Sequence, residues 1–125
     1  MDDSLAAAQH CAEAADNKKA FNILILDLRG LTYITDYFVI CSANNITQLS
    51  AISDGIEQAL AKMGAYPSHV EGGTESSWVL MDYGDVVVHI FEEQTRAYYS
   101  LEKLWSDAPR IPVATGPREL QGASS

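Results

Sequence analysis

Trp78-Val79-Leu80-Met81-Asp82-Tyr83-Gly84-Asp85-Val86-Val87-Val88-His89-Ile90-Phe91 is the stretch that decides the fold. Two short runs of β-branched, aliphatic and aromatic residues flank Tyr83-Gly84, a tight connection in which glycine can take positive φ. Read as a two-residue loop, Tyr83-Gly84 sets Asp82 opposite Asp85, Met81 opposite Val86, Leu80 opposite Val87, Val79 opposite Val88 and Trp78 opposite His89. Alternation along the strands then sorts the side chains onto two faces. Val79, Met81, Val86, Val88 and Ile90 make a wholly apolar face, expected to be core. Trp78, Leu80, Asp82, Asp85, Val87, His89 and Phe91 make the other, an apolar strip ending in two carboxylates.

Upstream of this hairpin, Pro67 and Gly72-Gly73 bracket a short strand around residues 68–71. Before it, Ile46, Leu49, Ile52, Ile56, Leu60 and Met63 recur at intervals of 3, 3, 4, 4 and 3, which predicts an amphipathic helix. Asn44 or Asn45 can cap its start, Gln48 stands in the capping-box position if Asn45 is the cap, and Gly64 can end it. Tyr37-Phe38-Val39-Ile40-Cys41 reads as a strand introduced by Asp36. Phe21 to Leu28 reads as another, buried on both faces and stopped by Arg29-Gly30. Ser4 and the Ala-rich stretch after it predict a first helix over 4–17.

Downstream, a short helix from about residue 94 to 105 is expected to pack Tyr98, Leu101, Leu104 and Trp105. After Asp107, Pro109, Pro112, Pro117 and the Gly122-Ala123-Ser124-Ser125 end predict a disordered tail. The expected architecture is therefore α/β. One domain, 1–107, has a central mixed sheet of about five strands flanked by helices, and a tail, 108–125, follows.

The 125 residues suffice for one core. No apolar run approaches the ~20 residues of a membrane span, and the acidic start, Met1-Asp2-Asp3, is unlike a secretory signal. A cytoplasmic protein is expected. Cys11 and Cys41 lie in apolar stretches without metal-ligand or redox spacing, so both are expected to be buried free thiols, with no metal bound. Eight Lys/Arg against seventeen Asp/Glu give a net charge of −9. Such a chain repels phosphate backbones, so direct nucleic-acid binding is not expected, whereas a basic protein is a suitable partner.

Two readings of the hairpin's second face stay open on residue chemistry alone. In one, the acidic turn is merely solvated and Trp78 lies under a helix. In the other, Trp78, Leu80, Tyr83 and His89 supply a docking surface, while Asp82 and Asp85 receive Lys or Arg from a basic partner. Catalysis fits less well. Asp85 and His89 stand about 13 Å apart by strand rise, too far to share one ion. There is no Gly-x-Ser-x-Gly elbow, and Cys11 has no evident base. Gly72-Gly73-Thr74 lacks the Lys of a phosphate loop, and no Lys or Arg occurs between Lys62 and Arg96.

Five stretches in order resemble the ribosomal silencing factor (Iojap) family: Leu26-Asp27-Leu28-Arg29-Gly30-Leu31, Asp36-Tyr37-Phe38-Val39-Ile40-Cys41-Ser42, Glu71-Gly72, the hairpin from Trp78 to Phe91, and Arg96 to Trp105. The resemblance spans residues 4–107. It implies a nucleotidyltransferase-like fold, usually homodimeric, that needs no cofactor. It also implies binding to the large ribosomal subunit through its basic ribosomal protein fourteen, so that subunit joining is blocked and translation falls when nutrients are scarce. The rival reading is a nucleotidyltransferase-like enzyme or a nucleotide-binding protein. That chemistry needs two carboxylates at alternate strand positions to hold a divalent ion. No Asp-x-Asp, Asp-x-Glu or Glu-x-Glu occurs in the chain.

Overall fold

The computed structural model describes residues 3–73 and 75–113. Along the chain, α1 (Asp3–Asn17) is followed by β1 (Phe21–Asp27), β2 (Tyr37–Ala43), α2 (Ile46–Lys62) and β3 (His69–Glu71). Then come β4 (Trp78–Asp82), β5 (Val86–Glu92), α3 (Glu93–Tyr99), α4 (Leu101–Leu104) and β6 (Arg110–Ile111). The strands form one mixed sheet of six, ordered β3-β4-β5-β2-β1-β6. β2 and β5 run parallel at its centre, and the other neighbours are antiparallel.

Each face of the sheet carries its own core because the strands alternate. On one face Tyr37, Val39 and Cys41 of β2, Val86, Val88 and Ile90 of β5, and Val79 and Met81 of β4 meet α1 and α2. α1 offers Ala8, Cys11, Ala12 and Ala15, all fully buried, and these small side chains let its backbone lie close to the sheet and to α2. α2 contributes Leu49, Ile52, Ile56 and Leu60. Ile46 and Met63, at the two ends of the same stripe, remain 38% and 45% exposed. Asn45 caps α2 by accepting from the Gln48 N–H at 2.8 Å, while Gln48 Oε1 accepts from the Asn44 N–H at 2.7 Å. At the other end Gly64, φ +82°, directs its N–H to the Ala61 carbonyl, and the Ala65 N–H reaches Leu60. Both cysteines are buried and free, and burial pushes each thiol up to about 12, so neither supplies a thiolate near neutral pH.

The opposite face carries a smaller cluster: Leu26, Leu28, Ile40, Phe91 and Ala108, with Phe38, Trp78, Leu101 and Trp105 packed against it. Here three expectations change. The sheet has a sixth strand, because Arg110–Ile111 pairs with Leu26 and Ile25 on the free edge of β1. The expected boundary at Asp107 therefore falls inside the fold: Ala108 is buried, and the Pro109 carbonyl accepts from the Asp27 N–H. The remainder of the expected tail, 114–125, lies outside the described residues. The single helix over 94–105 is broken at Ser100, whose φ of +50° and ψ of 48° are left-handed. Consequently Tyr98 and Leu104, expected inside, are 81% and 76% exposed, while Leu101 and Trp105 do pack inward.

Gly72 links β3 to the hairpin at φ +94°, and a Cβ there would lie 2.5 Å from the Trp78 carbonyl oxygen. Gly72→Ala is expected to cost about 1–2 kcal/mol through the left-handed backbone, with added displacement of the start of β4. Urea denaturation checks this. Wild-type stability in the variant would mean that the approach relaxes freely.

Candidate docking face

The hairpin closes through Gly84-Asp85, not Tyr83-Gly84. Tyr83 N–H donates to the Val86 carbonyl at 2.8 Å, Gly84 has φ +92°, and Asp82 stands opposite Val87. Glycine at the first central position, alone with positive φ, is the pattern of a type II′ loop. The register thus moves by two residues: Leu80 faces His89 and Trp78 faces Phe91. A shift of two leaves every strand side chain on its expected face, since alternation has period two.

The shift nevertheless rearranges the candidate residues. Asp82 and Asp85 do not oppose each other, so no repulsion across the strands is stored there. Asp82 Oδ1 instead accepts from the Gly84 N–H at 2.8 Å and braces the turn. Asp85 lies exposed in the loop, where its backbone carbonyl accepts from the N–H groups of Asp36 and Tyr37. Tyr83 is on the α1/α2 face, half-buried against the main core, and its hydroxyl is buried with no partner among the described residues. Burial also raises its pKa above the ordinary tyrosine value. It is therefore not one of the two loop residues that the sequence predicts.

Trp78, Leu80, Asp82 and His89 do share the second face. His89 is only 4% exposed, whereas the other three are half-buried. The Trp78 indole lies 4.8 Å from the Phe91 ring and 4.9 Å from Tyr99 of α3. Its Nε1–H donates to His89 Nδ1 at 3.2 Å, and the imidazole meets the Phe38 ring edge-on at 4.6 Å. Burial lowers the His89 pKa from 6.5 to about 4, so the ring is neutral near neutral pH. Of the two readings of Trp78 left open on chemistry, the cover by a helix is seen in part: Tyr99 of α3 lies against the indole, while Trp78 as a whole stays half-buried.

One residue of this region was missed by sequence reasoning. Arg96, on α3, sends Nη1 to the Asn22 carbonyl at 2.6 Å and to Ser42 Oγ at 2.9 Å, and Nε to Glu102 Oε2 at 3.2 Å. Asn22 sits at the bulge in β1 with φ +51°, which offers its carbonyl to the guanidinium rather than to a ladder partner. Arg96 so ties α3 and α4 to the sheet and fixes where Tyr99 meets Trp78. Its sequence signals were its place as the first cation after the basic-free stretch and at the head of the stretch from Arg96 to Trp105. Arg96→Lys keeps the charge but loses the planar fork, and is expected to cost about 1–2 kcal/mol by urea denaturation. An unchanged midpoint would show that these bonds are replaced by water without loss.

This face offers contact area and a carboxylate at the end of β4, extended by Tyr98, 81% exposed, and Tyr99, 51% exposed. Among the described residues, no three His, Cys, Asp or Glu side chains gather in a way that could hold a metal ion. No helix among them is long and apolar enough to cross a membrane.

Comparison with known proteins places the chain in a family. The family model described as "Ribosomal silencing factor during starvation" matches residues 1–125. A ribosomal silencing factor from Bacillus subtilis is 47% identical over 105 residues, covering 84% of this chain and 89% of its own. The chloroplastic Iojap protein of Zea mays is 39% identical over 110 residues, covering 87% of this chain and 47% of its own. Among solved structures, a Bacillus halodurans protein superposes with a TM-score of 0.75 at 36% identity, covering 90% of this chain and 100% of its own. A Chromobacterium violaceum protein does so with a TM-score of 0.78 at 30% identity, covering 90% and 92%. The match along the whole chain, together with these relatives, establishes that this chain belongs to the ribosomal silencing factor family.

Proposed function

We propose that this protein binds the large ribosomal subunit through its basic ribosomal protein fourteen and blocks joining of the small subunit. Translation then falls when nutrients are scarce, and no reaction is catalysed. The observation that carries the reading is the second face of the sheet at β4. There Trp78 and Leu80 keep part of their apolar surface exposed beside the Asp82 carboxylate, next to Tyr98 and Tyr99, in a chain of net charge −9. Partly exposed aromatics beside acid suit a basic protein surface: the rings supply area, and the charge steers encounter and selects the partner. The free protein is a cytoplasmic homodimer in this reading, and it needs neither a cofactor nor direct contact with nucleic acid.

Co-sedimentation with separated ribosomal subunits tests the proposal, with binding to the large subunit alone as the expected result. Association with the isolated ribosomal protein should slow from low to physiological salt, because screening shortens the reach of opposite charges. If naked ribosomal RNA binds while that protein does not, the partner is wrong. Calorimetry with nucleoside triphosphates and magnesium is expected to be flat. Micromolar binding abolished by Asp82→Ala would favour the nucleotide-binding reading instead.

A further inference from the structure

His89 combines deep burial with an unusual set of neighbours. Phe38 and Ile40 of β2, Leu80 and Trp78 of β4 and Phe91 of its own strand surround it through ring contacts or strand pairing. Its Nδ1 accepts from the Trp78 indole, and its Nε2 is buried with no partner among the described residues. An indole N–H can only donate, so the imidazole proton must sit on Nε2. A side chain chosen for packing alone would be apolar here, since the imidazole leaves a buried donor unsatisfied. What it gains is the bond to Trp78.

Resting on the docking reading above, we infer that His89 is the positioning residue of the docking face. Its Nδ1 satisfies the one polar atom of the Trp78 side chain inside the protein, so the exposed part of the indole meets the partner as carbon surface. The counterpart this selects is apolar or cationic, a methylene stem or a Lys or Arg head over the ring, and not a hydrogen-bond acceptor. An acceptor would find the indole N–H already taken. Protonation of His89 removes the acceptor at Nδ1, so the positioned state belongs to the neutral imidazole. The titratable groups on the elements around it are Tyr37 and Cys41 on β2, Asp82 on β4, Glu92 on β5, Glu93, Arg96, Tyr98 and Tyr99 on α3, and Glu102 and Lys103 on α4. The rings of Phe38, Trp78 and Phe91 are its direct aromatic contacts, and burial is what lowers its pKa.

Two measurements test this on different objects. In the wild-type protein, nitrogen NMR of the histidines is expected to find His89 as the Nε2–H tautomer, and the opposite tautomer overturns the inference whatever the ribosome does. In variants, the indole N–H resonance of Trp78, told from that of Trp105 by Trp105→Phe, should move in His89→Leu. Large-subunit affinity should fall about fivefold, the size of one lost neutral hydrogen bond. His89→Gln, whose Oε1 can accept, should recover most of that loss. A residue that merely fills space predicts the reverse order, with Leu harmless and Gln damaging, and that ranking overturns the proposal. If His89→Leu does not fold, the tautomer and the His89→Gln affinity decide. Should Trp78→Ala itself leave affinity intact, the docking reading fails separately, and the tautomer still judges the bond.

Discussion

Acidification is expected to cost the fold about 3 kcal/mol through His89, as pH falls from above the unfolded pKa of 6.5 to below the folded value of about 4. The folded protein holds this imidazole neutral because burial disfavours the charged form, whereas the unfolded chain protonates it freely. The unfolded state therefore binds more protons between the two values, and stability rises with pH across that window. The contribution is complete above about 6.5, declines by roughly 1.4 kcal/mol per pH unit below it, and is gone under about 4. Carboxylates also titrate in this range, so the readout is a difference. Urea denaturation at a series of pH values should give a shallower slope for His89→Leu than for wild type. Parallel profiles would mean that His89 is solvated enough to charge in place.

Much of this fold was legible because its elements announce themselves by period. The stripe from Leu49 to Leu60 can only be buried along one side of a helix, and the cap at Asn45 and stop at Gly64 were both visible as residue types. The faces of the hairpin were legible for a similar reason: alternation survives any even error in register. The register itself was not, since Tyr83-Gly84 and Gly84-Asp85 each put glycine at a central position of a two-residue loop. The choice between them turns on tertiary facts. Gly84-Asp85 lets Tyr83 pack on the α1/α2 core, frees Asp82 to brace the turn, and avoids setting two carboxylates across from each other. The resulting error fell on the candidate residues rather than on the fold, placing Tyr83 in the loop rather than against the α1/α2 core and pairing Asp82 with Asp85.

The region after residue 92 was harder because its structure comes from docking rather than from local propensity. Arg110–Ile111 is two residues between prolines, too short to read as a strand, and it exists because β1 leaves an edge open. The break at Ser100 has no glycine to mark it. It is held by the Ser100 N–H on the Arg96 carbonyl and by Arg96 reaching Glu102 beyond the break. Its consequence is the exposed Tyr98, which a continuous helix would have been expected to bury. Part of the surface proposed for docking thus arises from a backbone feature with no compositional signal.

Trp78→Ala is expected to cost large-subunit docking on the order of 2–3 kcal/mol, a loss of roughly 30- to 160-fold in affinity. The indole is half-buried against Phe91 and Tyr99, so truncation also lowers stability, and affinity must be measured per folded molecule. Asp82→Asn is the complementary probe. The amide keeps an Oδ1 that can accept from the Gly84 N–H, so the turn is preserved while the charge is removed. The variant should fold like wild type, yet associate more slowly and with weaker dependence on salt. No gain in stability is expected from it, because Asp82 faces Val87 and not Asp85. Asp85→Asn, in the exposed loop, should likewise leave the fold intact and affect only the steering. Trp78→Ala and Asp82→Asn act on different steps, the first mainly on dissociation and the second mainly on association. Wild-type affinity and salt dependence in both would move the docking surface off β4, and the exposed Tyr98 and Leu104 on α3 and α4 would be the next residues to truncate.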